Sequence, residues 1–196
     1  MRDVADYRRD MLTILGDAGG RRYSEGMLDM GLREALAEYA GFFPRRVSVT
    51  GTVDHTEGDM AVVPWLFGDD TAVDSVRVDG EFRDHAEFAS GGKLYVRLDP
   101  LPGAGTVLTF GVTQGHCVRG LDGAAGTSVP DGHALMVSSG AAGYAMRMRA
   151  RSVTEVFGKR PEDREALSSQ ANRLITDYIK ELKWAARQKA LRRYPW

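Results

Sequence analysis

The side chains best equipped for chemistry in this chain are four histidines, one cysteine and scattered carboxylates. His55, His85 and His116 follow one another at steps of about thirty residues, and only His116 and His133 come closer. A metal centre needs converging His, Cys, Asp or Glu ligands, usually at short spacings on one element. No HxH, HExxH or CxxC pattern occurs, so no metal is expected. Cys117 follows His116 directly. In a strand the two side chains would point to opposite faces, so they would not form a nucleophile–base pair. Cys117 therefore reads as a structural thiol. Ser138 and Ser139 precede Gly140, but the G-x-S-x-G elbow is missing and no strand leads into it. Gly120, Gly123 and Gly126 stand ahead of Thr127 without the lysine of a phosphate loop, and are expected to form a flexible connector. Asp69-Asp70 and Glu81 with Asp84 sit at turn signals, where acids are usually solvated. No catalytic residue, cofactor site or metal ligand is expected, and the chain reads as a non-enzyme.

The C-terminal segment offers a different chemistry. Lys183, Trp184, Arg187, Arg192, Arg193, Tyr194 and Trp196 interleave cations with aromatic rings. That mixture suits nucleic-acid phosphates and bases. It equally suits an acidic protein surface, with aromatic anchors entering pockets. Tyr194 and Trp196 favour docking on protein.

The elements that must position these groups follow from periodicity. Val4, Tyr7, Met11, Leu12 and Leu15 share one helical face, and Gly16, Gly19 and Gly20 end that helix. Ser24 can cap a second helix whose stripe is Leu28, Leu32, Ala35, Leu36 and Tyr39, closed by Pro44 after Phe42. From Val47 to about Leu121 the period becomes two, with turn signals at Asp79-Gly80, Gly91-Gly92 and Pro100 to Gly103. About five or six antiparallel strands are expected there, in a small sandwich or open barrel. The helical period returns after Pro130, with Asp131 as a cap, and includes the small-residue run Gly140, Ala141, Ala142 and Gly143. Such a run lets another backbone come close, within the bundle or between copies. A last helix starts near Pro161 and carries Leu167, Ala171, Leu174, Ile175, Tyr178, Ile179 and Leu182. The expected fold is α+β: residues 1–45 and 130–196 form a helical bundle from both chain ends, and residues 46–129 form an inserted antiparallel β domain with its connector.

Composition fits that class. The 196 residues are 43% hydrophobic and 27% charged with net charge −1, so no global bias favours nucleic acid or membrane. One cysteine excludes an internal disulfide framework and fits a reducing compartment. The first fifteen residues lack a signal-peptide apolar core, and no run approaches membrane-spanning length. Charge is nonetheless uneven. Between Asp54 and Glu87 ten acids face two arginines, whereas from Lys180 onward six basic residues face Glu181 alone. An acidic β lobe and a basic helical tip suit head-to-tail contact between copies or neighbours.

The segment from Met27 to Pro44 resembles the early helix of head–tail connector (adaptor or neck) proteins of tailed bacteriophages. The shared features are the Ala35-Leu36 pair, then Tyr39 and Ala40, then Pro44 leading into strands. The block Gly140 to Ala145 followed by Arg149-Ala150-Arg151, and the long final helix with Ala171, Leu174, Tyr178 and Leu182, are similar to later helices of that group. The resemblance implies a structural virion protein without catalysis. It implies a homo-oligomeric ring, typically of twelve copies, under the portal, made in the host cytoplasm and located in the virion neck. Its partners would be the portal protein and a tail or second neck protein. Genomic DNA would pass through the channel without sequence-specific binding, and no membrane is involved. By position, Lys183 to Trp196 would be the portal-facing arm, and Gly140, Ala141, Ala142 and Gly143 an inter-subunit or internal packing face. A tail-completion or terminator subunit, a small enzyme with its site in the β lobe, and a DNA-binding module stand as alternatives.

Overall fold

The computed structural model describes residues 2–64, 72–152 and 161–193. They divide into a helical unit, Met1–Phe43 with His116–Trp196, and a β unit, Pro44–Gly115. The α+β class holds, with helices at both chain ends and the strands between them in chain order.

In the helical unit, α1 spans Val4–Ile14 and α2 spans Glu25–Phe42. Asp3 caps α1 through a reciprocal box, its carboxylate accepting from the Asp6 N–H while the Asp6 carboxylate accepts from the Asp3 N–H. Ser24 caps α2, its Oγ accepting from the Met27 N–H. The turn between them is organised by Asp17, a buried carboxylate that accepts the N–H groups of Arg21, Arg22 and Tyr23. Burial alone would raise its pKa, but those three donors and the Arg22 guanidinium outweigh burial and hold it below the usual range.

Helix α3, Asp131–Ser152, is the centre of the unit and packs against α1, α2 and α4, the last spanning Pro161–Arg193. A helix with neighbours on three sides has little room for large side chains, and this explains its small residues. Gly31 of α2 presses on α3 so closely that a β-carbon there would fall 3.0 Å from the Ala145 nitrogen. On another face of α3, a β-carbon on Gly140 would meet the Tyr178 ring at 2.6 Å, and one on Gly143 would meet Ile175 Cγ1 at 2.9 Å. Tyr178 is buried, and its hydroxyl donates to the Ala35 carbonyl of α2 at 2.8 Å. Gly140, Ala141, Ala142 and Gly143 are all buried within the chain. Of the two readings of that run, the geometry fits packing inside the bundle.

Residues 116–129 depart from expectation. Assigned from sequence to the inserted β domain, with only the run Gly120 to Thr127 read as a flexible connector, they belong to the helical unit and are pinned there. Val118, Leu121 and Val129 enter its core, and the Val4 N–H donates to the Arg119 carbonyl at 2.9 Å. Arg33 of α2 forks onto Asp122. The glycines had signalled freedom, but the apolar residues spaced among them are what anchor the loop.

The β unit is a sandwich of two four-stranded antiparallel sheets. One has the order β1 (Arg45–Thr52), β8 (Val107–Gln114), β4 (Ala72–Val78), β5 (Glu81–Arg83). The other has β2 (His55–Glu57), β3 (Met60–Pro64), β7 (Lys93–Leu98), β6 (His85–Ser90). Val76, Leu108, Phe110 and Val112 of the first meet Ala61, Val63, Leu94 and Val96 of the second. Asp79-Gly80 and Gly91-Gly92 each place two consecutive residues at positive φ, the geometry of tight hairpin turns, and so set the β4–β5 and β6–β7 registers. Eight strands appear among the described residues instead of five or six. The additional ones are short edge strands such as β2 and β5, whose residues are mostly exposed and therefore carry no alternating apolar signal.

Candidate functional site

Helix α4 positions the predicted arm. Its inner stripe, Ala171, Ile175, Tyr178 and Leu182, is buried, so the opposite face must point outward. Arg173, Lys180, Trp184 and Arg187 follow at steps of seven, four and three, which aligns them along that outer face, and all four are exposed. Trp184 is 66% exposed, the highest value among the large hydrophobic residues described. Lys183 is exposed beside it. Lys180 lies 3.3 Å from the Asp177 carboxylate, a surface ion pair that leaves the stripe net basic. An uncovered indole among cations is costly to leave in water and suits burial against an acidic surface. Arg192 and Arg193 continue the backbone of α4, but their side chains, with Tyr194 and Trp196, lie outside the described residues.

A second cluster was not foreseen. The closer pair of histidines, His116 and His133, is brought together at the end of α2. The Tyr39 hydroxyl and His133 Nδ1 share a hydrogen bond at 2.7 Å. His116 Nε2 lies 2.6 Å from the Phe43 carbonyl, which can only accept, so that nitrogen carries the hydrogen. His116 Nδ1 lies 3.0 Å from Ser128 Oγ, which also accepts the Cys117 N–H at 2.9 Å. The rings pack as a group: Tyr39 stacks on Phe43 at 4.9 Å and meets His116 edge-on at 4.7 Å, while Phe43 lies 5.0 Å from His133. Lys189 of α4 places its ammonium 5.4 Å from the centre of the Phe43 ring. Burial, and then the Lys189 charge, push the His133 pKa below its ordinary value. Burial pushes Tyr39 up to about 12. The sequence signal was present in the short spacing of His116 and His133, but their shared neighbour Tyr39 lies far away along the chain.

Other candidates disperse. Ser138 lies in the middle of α3, fully buried, with no hydrogen-bond partner for its Oγ, so it is not at a strand-to-helix elbow. His55 and His85 belong to the β unit, paired with Asp54 and Glu87 respectively. Asp69 and Asp70 lie outside the described residues. Glu81 pairs with Arg83 across an exposed edge. A groove of about 430 Å³ opens between α1, the 16–24 turn and α2, lined by Arg8, Arg9, Tyr23 and Glu25 above an apolar floor. Arg8 there is held by Asp29 and Glu25, and Arg9 by Asp6, so its cations are already committed. Among the described residues no three His, Cys, Asp or Glu side chains are grouped to hold a metal, and no helix is long and apolar enough to cross a membrane.

Comparison with known protein families finds no family whose pattern matches this chain, and comparison with curated proteins finds no match. The functional reading therefore rests on the site itself.

Proposed function

We propose that this chain is a structural subunit of a head–tail adaptor, a ring beneath the portal of a tailed phage, and that α4 presents the surface by which it docks. The observation that carries this reading is Trp184, exposed on the outer face of α4 and flanked by Lys180, Lys183 and Arg187. An anchor of that kind, placed opposite a well-packed inner stripe, supports attachment to a protein surface. The acidic residues Glu81, Asp84 and Glu87 on the β unit support a role beside passing DNA, since carboxylates repel phosphates and avoid trapping them. No catalytic role is proposed. A ring needs a heterologous interface whose rotation closes, and such an interface uses two unlike surfaces of one chain. Electron cryomicroscopy of particles that contain the chain tests the reading. The expected result is density for the chain as a closed ring at the head–tail junction, with α4 against the portal. Density elsewhere in the particle, or a solitary protomer that binds DNA with steep salt dependence, would overturn it.

A further inference from the structure

We propose that copies of this chain join edge to edge through the β sandwich, strand β1 of one copy pairing with strand β6 of the next. The inference concerns the β unit alone and stands without the adaptor reading, although a ring built from this chain would find in it the heterologous contact it needs.

An edge strand presents a row of unpaired N–H and C=O groups, and a protein that stays monomeric blunts such edges with short strands, bulges, proline or lysine. Each sheet here has two edges, and one edge of each is blunted. β2 and β5 are three residues long, and the part of β4 that β5 leaves uncovered carries a register shift between Val73 and Ser75. The other two edges are open. β1 runs eight residues in continuous register with β8, and β6 runs six in continuous register with β7. Neither strand contains proline or lysine. Among the described residues, no backbone group pairs with the far side of either.

The open edges lie on opposite sides of the sandwich. Only Val53 and Asp54 separate β1 from β2, so those two edges share one side. Only Asp84 separates β5 from β6, so those two share the other. β1 and β6 therefore cannot satisfy each other within one copy. Two unlike patches on opposite sides give a head-to-tail contact that repeats from copy to copy.

Side chains select β6 as the partner of β1. β1 opens with Arg45 and Arg46 and holds no acid, whereas β6 holds Glu87 and follows directly on Asp84. A contact between two like edges offers no such complementarity. Alternation places Phe88 on the outer face of its sheet beside Tyr95, and Glu87 on the inner face beside Val96. In β1, Val47 and Val49 pack inward, so Arg45 shares their face and Arg46 takes the outer one. Phe88 is 51% exposed, and its ring stacks on Tyr95 at 4.7 Å, which leaves its other face toward the open edge. With Arg46 of a second copy set opposite Phe88, the guanidinium lies over that free ring face. Arg45 of the same copy then falls opposite or diagonal to Glu87, according to strand direction, with both on inner faces. The sandwich already makes such a contact once. Arg77 and Phe82 are cross-strand partners, and the Arg77 guanidinium lies 3.9 Å from the centre of the ring.

Sedimentation velocity of the full chain over a concentration series, combined with hydrogen exchange at its two ends, tests this. The expected result is association that grows with concentration, with protection gained over residues 45–52 and 85–90 and none over 55–57 or 81–83. Arg45→Glu and Glu87→Arg should each weaken association at least about tenfold, by setting like charges across the contact, and the two together should restore it to within about threefold. A chain that stays monomeric throughout, protection gained elsewhere, or a double variant no better than the single ones would each overturn the proposal, and none of these outcomes bears on Trp184. Should a charge variant fail to fold, exchange in the parent chain decides by itself. Protection gained at both edges together supports head-to-tail pairing, whereas protection at one edge alone, or at neither, refutes it.

Discussion

Replacing Gly140 by alanine separates the two roles open to the small-residue run of α3. On an isolated helix the change should help, because alanine is favoured over glycine by about 1 kcal/mol. In this fold the new β-carbon would fall 2.6 Å from the Cε1 and Cγ atoms of Tyr178. The ring cannot swing aside cheaply, since it is buried and its hydroxyl is tied to Ala35 on a third helix. Overpacking of this kind costs about 1–3 kcal/mol. Displacing the ring would also strand a buried hydroxyl, at a further cost of about 1–3 kcal/mol. The propensity gain offsets only the lower end of either cost, leaving a net loss of about 1–5 kcal/mol. Gly132 in the first turn of the same helix is the control: nothing lies within 4 Å of a β-carbon there, so Gly132→Ala should be neutral or stabilising. Urea unfolding followed by far-UV circular dichroism reads both. With a slope of about 2 kcal/mol/M, Gly140→Ala should lower the midpoint by at least about 0.5 M. If Gly140→Ala is as stable as the parent, the α3–α4 seam is not packed as described. If it is more stable but assembles poorly, the small residues face another copy.

Removing only the hydroxyl, in Tyr178→Phe, should cost about 0.5–1.5 kcal/mol in the same assay, because the ring still fills its place against Gly140. Trp184→Ala should leave the unfolding midpoint within about 0.5 kcal/mol of the parent, as exposed positions do. The same change should weaken attachment to the partner ring more than about tenfold in a pull-down or sedimentation assay, and unchanged attachment would remove Trp184 from the docking surface. Alkaline titration tests the buried phenols. Tyr7 and Tyr39 are pushed up to about 12 by burial, so the native state keeps protons that the unfolded chain gives up near 10. Stability should be intact below pH 10 and fall as pH rises from there toward 12, with Tyr7, Tyr39 and the still more strongly raised Tyr178 absorbing late at 295 nm.

The sequence by itself determined much of the framework. Apolar stripes at three- and four-residue steps placed α1, α2 and α4. The clear two-residue alternation of β1, β7 and β8 announced a sheet, and the Asp79-Gly80 and Gly91-Gly92 turns marked hairpins, because these signals are local and depend on neighbours a few residues away. The outward cations and Trp184 were legible for the same reason: once the buried stripe of α4 is known, helical geometry fixes the opposite face. What only the tertiary structure decided is whatever depends on residues distant in sequence. The spacing of the short edge strands says nothing, since they are held by register with β3, β4 and β7 more than by their own apolar pattern. The glycine-rich connector became part of the helical core through Val118 and Leu121, whose partners lie on other elements. Gly140 looked like a surface for another backbone until Tyr178 was found against it. His116 and His133 acquired a common chemistry only when Tyr39, 94 residues before His133, was folded between them. Long-range packing chooses among neighbours that local periodicity cannot see, and in this chain it assembles both the closed seam of α3 and the histidine cluster at the end of α2.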